Sequence, residues 1–563
     1  MRRLWWLWRL GMLLGLTACQ TEVMLTPTAV IIPTPLQLPT STVTISPTAT
    51  IVPLPTVDPT PIPLPEPTLT PAALRLQIDT AVPAPLTADL QPYLPSDLVQ
   101  FVGEGAGGDV RLAVNEGTVV ANWIYAVVAP FPTLADEITL VEAREAWQTG
   151  QFMLDEETAA VLTTLWGTPN IEPLIVPVAE LAAALWAVQN EDDTPALSVV
   201  PFEQLTPQLK ALRLDDVSPL AMDFDPAGYS LTVSVGLVGE AERATQISEH
   251  LPGLLTNRDD GRITHIVMSG PAGMRRAVAD RMDKYGIQYP GEETGPVLQA
   301  ADIAHMSNEN AFAPDCPPAN PFDSDDVCNR TDYFELMTWM GIDVNEMTGN
   351  HLNDWGTAAM VYTLDLYADN GIQVYGGGRN LAEAQRPLLL EHNGNRIAFV
   401  GCNPTGPEYD WATADQPGSL PCGDYSQLKS LIRKLADEGY FVVVTLQYLE
   451  DYQYGALAEQ RQLFQSLAAA GAAAVSGSHA HHPQGFSFAH DSFIHYGLGN
   501  LLADQMWSLG SRQMFLDVYT VYNGHLLNVT LWTGLNEDYA RVRQMMPQER
   551  HDLLQAVFAA SDW

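Results

Sequence analysis

The chain has 563 residues, with 27 Lys and Arg against 67 Asp and Glu, for a formal net charge of −40. Nucleic acids and anionic lipid surfaces select basic patches, so this balance excludes a large nucleic-acid-binding surface. A 46% hydrophobic content is enough for packed cores over roughly two to four folded units, and the low 17% charged fraction leaves Ser, Thr, Asn and Gln to share a surface suited to the outside of a cell.

At the N-terminus, Arg2 and Arg3 precede a Leu- and Trp-rich stretch over 4–16, which Leu16-Thr17-Ala18-Cys19 closes. This order resembles a bacterial lipobox, which implies cleavage before Cys19, lipidation of its thiol and retention at the outer face of a membrane. An ordinary signal peptide with a chance cysteine is the alternative. No later segment offers the ~20 apolar residues of a membrane span, so the expected location is extracytoplasmic, lipid-anchored to the bacterial cell membrane. The other four cysteines fall as two close pairs, Cys316 with Cys328 and Cys402 with Cys422. Export makes local disulfides the default; a zinc site competes, although neither pair has the tight C-x-x-C spacing of structural zinc. Residues 20–72 are dense in Pro and Thr, which withhold a core and favour an extended stalk.

Residues 73–260 form a first folded region, with apolar runs at 110–114, 119–128 and 196–200 whose mixed periodicities suggest α/β structure. Two pieces resemble the type II periplasmic solute-binding fold, in particular its phosphate-binding branch. One is Asn122-Trp123-Ile124-Tyr125-Ala126-Val127-Val128-Ala129-Pro130-Phe131-Pro132, followed by a helix-like 142–147. The other is Val199-Val200-Pro201-Phe202-Glu203-Gln204-Leu205, leading into 210–215. No Ser/Thr-Gly turn that would grip an anion at a helix start is visible, so the region reads as a decayed binding fold acting as a spacer.

Residues 261–563 alternate. Strands are predicted over 261–269, 342–347, 396–400, 441–446 and 473–476, and helices over 274–285, 358–370, 427–438 and 460–470. This order predicts a layered α/β fold with a substantially parallel core, whose functional loops lie at the carboxyl ends of strands. That rule places Gly349-Asn350-His351-Leu352-Asn353-Asp354, Gln447-Tyr448-Leu449-Glu450 and Ser478-His479-Ala480-His481-His482 on one rim, joined by Asn308-Glu309 after the short apolar-containing 301–303. Such imidazoles and carboxylates suit one divalent zinc, manganese or iron ion, which would polarise a phosphoryl or carbonyl oxygen and lower the pKa of a water. His482, before Pro483, reads as exposed, and His490 and His495 as surface or core residues. Beyond them, 514–522 and 526–532 flank the turn dipeptide Asn523-Gly524 as an edge hairpin, and 549–560 reads as a covering helix.

The segment Asn350-His351-Leu352-Asn353-Asp354-Trp355-Gly356 resembles the Asn-His-x-x-Asp-x-Gly motif of the bacterial capsule synthesis protein family (CapA, poly-γ-glutamate capsule). Gly477-Ser478-His479-Ala480-His481-His482-Pro483-Gln484 resembles that family's Gly-x-His-x-His-x-x-Gln segment, and Tyr496-Gly497-Leu498-Gly499-Asn500 its closing Tyr-Ser-Leu-Gly-Asn strand. The resemblance covers about 263–505. It implies a calcineurin-like metallophosphoesterase fold and a link to an extracellular polymer of glutamate units. By position Asn350, His351, His479 and His481 are implied as metal or phosphate-site residues, Glu309 as the acid of an Asn-Leu-Glu motif, and Asp354 as the residue that orients the His351 loop.

Two positions depart from the family. A strand expected to end in Gly-Asp ends in Met268-Ser269-Gly270-Pro271, and one expected to end in His-Trp-Gly reads Gln447-Tyr448-Leu449. Two functions therefore stand side by side. One is a metal-dependent hydrolase or transferase acting on a phosphoester or a γ-glutamyl or related polymer, with His351 as general acid and Glu450 standing in for the missing Asp. The other is a non-catalytic lipoprotein that binds polymer or a small anion.

Overall fold

Along the strands of the C-terminal half, alternate side chains enter different cores. In Phe441–Leu446, Phe441 and Val443 join one cluster while Val442, Val444 and Leu446 join another. In Ile263–Met268, Ile266 and Met268 enter the same first cluster, whereas Val267 packs on the opposite side. A period of two with both faces apolar is what a strand between two packed layers requires. The computed structural model describes residues 73–188, 195–322, 327–489 and 491–563. The leader, Cys19, the Pro/Thr-rich stretch and His490 lie outside them. Among the described residues no helix is long and apolar enough to cross a membrane.

Two sheets stack in this half. One runs Gln373–Tyr375, Val344–Glu346, Ile303–Asn308, Ile263–Met268, Gln513–Tyr522, His525–Glu537, Arg541–Gln544, parallel up to Ile263–Met268 and antiparallel beyond it. The other runs Leu388–His392, Asn395–Cys402, Phe441–Leu446, Ala474–Gly477, Ser492–His495, Phe486–Ala489, with the four central strands parallel. Their facing sides make the shared core around Phe399, Phe486, Phe493 and Phe515. Helices Arg276–Tyr285 and Thr357–Asp369 cover the outer face of the first sheet, and Ser426–Asp437 and Ala458–Ala468 that of the second. The result is a four-layer α/β sandwich, as the alternating sequence predicts, with element ends shifted by a residue or two.

Before residue 257 the strands form their own sheet around the 13-residue Thr118–Pro130, with Thr232–Gly239 antiparallel beside it. Helix Leu140–Gln148 starts at a capping box in which Thr139 and Glu142 satisfy each other's backbone N–H groups. The Pro130-Phe131-Pro132 end, which resembles a binding-protein motif in sequence, instead anchors this sheet on the sandwich. The Phe131 ring meets Phe486 and Phe488 at 5.3 Å, Phe493 at 5.7 Å and Phe558 at 5.9 Å. Beside it Asp136 bridges Lys210 at 2.6 Å and Arg550 of the last helix, Pro547–Ala559, at 2.7 Å. Asp136→Ala strands both cations, so unfolding by urea should show a loss of about 2 kcal/mol; the value sits at the low end for buried pairs because Asp136 is a third exposed. An unchanged midpoint would show that water already serves these cations.

Both local disulfides are present, Cys316–Cys328 and Cys402–Cys422, which removes the zinc reading of these cysteines. The second ties the end of strand Asn395–Cys402 to the loop before helix Ser426–Asp437.

Candidate metal centre

All the parallel strands of both sheets deliver their carboxyl ends to one edge. Ile303–Asn308 leads into Glu309, Val344–Glu346 into Asn350 and His351, Phe441–Leu446 into Gln447, and Ala474–Gly477 into His479 and His481. Glu309, His479 and His481 are buried, and one ligand atom from each lies within 4.8 Å of the others. These are three of the five residues expected as metal ligands.

The hydrogen bonds decide which nitrogens face inward. His479 Nδ1 lies 2.5 Å from the Tyr448 carbonyl, which can only accept, so Nδ1 carries the proton and Nε2 the lone pair. That Nε2 is buried without a partner. Asn500 directs its Nδ2 at the carbonyls of Ser511 and His481 and at Gln505 Oε1, which leaves its Oδ1 to accept from His481 Nδ1 at 2.7 Å. His481 Nε2 is thereby the ring nitrogen left for a ligand. A second acceptor fixing each imidazole is how proteins prepare histidines for a metal, and His481 holds its place with a left-handed φ of 53°.

Burial pushes the Glu309 carboxyl up, but His481, His479, His351 and the Gln447 amide outweigh it and hold the group below the usual carboxylate range. His479 is displaced downward by burial, against the pull of Glu309. A buried carboxylate beside two imidazoles, each engaged through Nδ1, fits a divalent cation; the donor set alone does not choose among zinc, manganese and iron.

Asn350 and His351 stand at the margin. Asn350 Oδ1 accepts from Gln447 Nε2 at 3.1 Å, and the same nitrogen reaches Glu309 Oε1 at 2.6 Å. Gln447, read in sequence only as a lost histidine, is thus the clamp that joins two expected ligands, with Ser478 Oγ donating to its Oε1 at 3.0 Å. His351 Nδ1 donates to Asp354 Oδ2 at 2.6 Å, and Tyr409 donates to Oδ1 at 2.9 Å, so Asp354 orients His351 as expected. Burial raises the Asp354 carboxyl, yet the His351 and Tyr409 bonds bring it below the ordinary value. Glu450 is nearly half exposed, 3.7 Å from His479 Nε2, and takes the Tyr452 hydroxyl at 2.8 Å.

His482 corrects the sequence reading: it is 4% exposed, its Nδ1 on the Pro483 carbonyl and its ring against Tyr454 at 4.6 Å, because Gly510 and Tyr454 close over it. His495 is a core residue, paired with the fully buried Asp517 at 2.7 Å. Sequence reasoning missed the supporting roles of Gln447, Asn500 and Tyr409. Asn500 closes the Tyr-Gly-Leu-Gly-Asn stretch and was the one signal available.

The His351 loop rests on Asp410, whose Oδ1 accepts from the Asn353 N–H at 2.5 Å while its other oxygen has no partner. Burial, with Asp354 adding to it, pushes Asp410 up to about 7. A carboxyl raised on folding stabilises at low pH, and that contribution disappears as pH rises from about 4 through about 7. Asp410→Asn keeps the acceptor and removes the titration. Urea unfolding at pH 5 and pH 8 should show the variant gaining about 1–2 kcal/mol on wild type at the higher pH. Equal pH slopes would mean that Asp410 is ionised in the folded protein.

A four-layer α/β sandwich with a carboxylate and two oriented imidazoles at its strand ends defines the class: a layered α/β protein with a candidate divalent-metal centre. Residues 265–505 match the family described as bacterial capsule synthesis protein PGA_cap, so that stretch of the chain is similar to the capsule synthesis (CapA) family. The chain is 26% identical over 274 residues to a capsule biosynthesis protein CapA of Bacillus anthracis, covering 48% of this chain and 66% of that protein. It is 28% identical over 276 residues to a PGA biosynthesis protein CapA of Bacillus subtilis, covering 48% and 71%. Among solved structures, a putative 5'-nucleotidase of Staphylococcus aureus is similar at TM-score 0.30 and 10% identity, over 52% of this chain and 58% of that one. An ABC-type phosphate transport receptor of Vibrio cholerae is similar at 0.26 and 14%, over 31% and 90%. These structural likenesses are distant, and the fold rests on its own strands and cores.

Proposed function

We propose that this chain is a lipid-anchored protein of the outer face of the membrane that acts, through one divalent metal, as a hydrolase or transferase on poly-γ-glutamate or another extracellular polymer. Its partners are then the membrane, through Cys19, and an extracellular polymer or small anionic substrate. The observation that carries the reading is the buried, unpartnered Nε2 of His479 beside Glu309 and His481. A cation held by Glu309, His479 and His481 would supply Lewis-acid activation of a phosphoryl or carbonyl group. His351, held by Asp354 through Nδ1–H, presents Nε2, which in the imidazolium form would pass its proton to a leaving group and be left with the lone pair. Asn350, fixed by Gln447, presents an amide to the same space, and Glu450 lies at the mouth near His479.

One observation favours the alternative, a non-catalytic binding protein. Gly270, near the position where the family places a metal-binding acid, has no room for any side chain. The test is hydrolysis of bis-p-nitrophenyl phosphate and chain shortening of poly-γ-glutamate by the metal-loaded protein, with His351→Ala alongside. Turnover that falls 100-fold or more in His351→Ala, about the weight of one acid–base residue, supports the hydrolase. Bound metal with no turnover on either substrate supports the binding protein.

A further inference from the structure

Two adjacent arginines at the rim meet different fates. Arg276, at the head of its helix, is gripped by Asp504 through Nε at 3.1 Å and NH2 at 2.7 Å. Arg275 forms no ion pair with a carboxylate of the described residues, yet it lines a cavity of about 340 Å³ together with Glu309, His351 and His481. Burial pushes its pKa down and the Arg276 charge adds to this, while Glu309, Asp504 and Asp354 pull the other way from a distance. A partly buried cation without a bonded counter-charge pays part of its desolvation cost, and an anion in the cavity would offset it.

A second group in the same cavity is also unsatisfied. Asn310 is 1% exposed; its Nδ2 donates to the Val327 carbonyl at 3.3 Å, but its Oδ1 has no partner. A Cβ at position 273 would lie 2.7 Å from that oxygen, so Gly273 keeps it clear. A charged donor and a buried acceptor thus face one space over the candidate ligands.

We propose that Arg275 is the anion-binding residue of this centre, taking a phosphate or carboxylate oxyanion of the substrate while Asn310 Oδ1 accepts a hydrogen bond from an N–H or O–H of the same molecule. The inference rests on the reading of this cavity as the substrate site. The chain lacks an acid at position 270 and a histidine at 447, so a guanidinium supplies fixed positive charge where metal ligands are fewer. A planar fork of donors suits either oxyanion.

The test is isothermal titration of the full chain with inorganic phosphate and, separately, glutarate, each with metal content measured on the same sample. Arg275→Met should weaken the oxyanion that binds by at least tenfold with metal content unchanged, and Arg275→Lys by less, since it keeps the charge and loses the fork. Phosphate or glutarate preference names the oxyanion. Wild-type affinity in Arg275→Met, or no binding of either probe to wild type, overturns the proposal. Arg275-dependent binding by a chain that holds no metal upholds it and sinks the metal reading instead. Should Arg275→Met fold poorly, Arg275→Lys with a wild-type unfolding midpoint and unchanged affinity for both probes overturns it equally.

Discussion

His479→Ala should lower the metal content of the metal-loaded protein from the expected one divalent ion per chain to near zero, and should abolish stabilisation by added metal. His479 Nε2 makes no hydrogen bond in the protein, while its Nδ1 is tied to Tyr448. The imidazole is therefore oriented with its buried, unbonded nitrogen beside the ligand atoms of Glu309 and His481. Removing it takes one of three clustered ligands, so affinity should fall by more than the ~10–100-fold typical of losing an outer-shell partner. A metal that binds only the folded chain stabilises it by about 2.7 kcal/mol at a hundred times its dissociation constant. Melting scans with and without manganese or zinc should show that gain in wild type and none in His479→Ala. Asn500→Ala, which frees His481 to turn, should give an intermediate loss. Equal metal content in wild type and His479→Ala would remove the centre as described.

The rim was legible in the sequence because its residues follow strands that are almost wholly apolar. Phe441–Leu446 and Ala474–Gly477 read clearly, and His479 and His481 sit directly after them. Ile303–Asn308 reads in sequence only as a short apolar stretch because its buried positions include His305, Ser307 and Asn308. Those groups are tolerated inside by hydrogen bonds the sequence cannot display, such as His305 Nε2 to the Tyr375 hydroxyl at 2.8 Å and Asn308 Nδ2 to Tyr367 at 2.8 Å. The same limit hid Gln447. As one residue it is a lost imidazole; between Glu309, Asn350 and Ser478 it is a clamp made from contacts 31 to 138 residues apart. The 482 position failed for the complementary reason, since its burial depends on Gly510 and Tyr454 arriving from elsewhere in the chain.

Gly270→Asp, which would put back an acid near the place where the family carries one, should destabilise the protein by more than about 4 kcal/mol or leave it insoluble, and should not raise its metal affinity. A Cβ at 270 would lie 2.0 Å from the Gly499 carbonyl oxygen and 3.2 Å from the Leu498 side chain. The obstructing atom is backbone, and it cannot retreat. Gly499 sits at φ +75° with its own Cβ position 2.4 Å from the Gln513 carbonyl, and the Phe515 N–H holds the Leu498 carbonyl at 2.7 Å. Moving residues 498–499 would therefore break their pairing with strand Gln513–Tyr522, which is itself paired to Ile263–Met268. Ser269 offers no substitute, because it is fully buried with its hydroxyl on the His305 carbonyl at 2.8 Å. Gln447→His is the informative contrast: a side chain already fills that place, so the variant should fold with a loss of about 1–2 kcal/mol and change metal affinity through Glu309 directly. A Gly270→Asp protein that unfolds at the wild-type midpoint and takes up a second metal would show that the backbone yields and that an acid here can hold one. Failure of Gly270→Asp beside a folded Gln447→His would mean that the packing of 270 against 499 commits this chain to a centre built on Glu309, His479 and His481 alone.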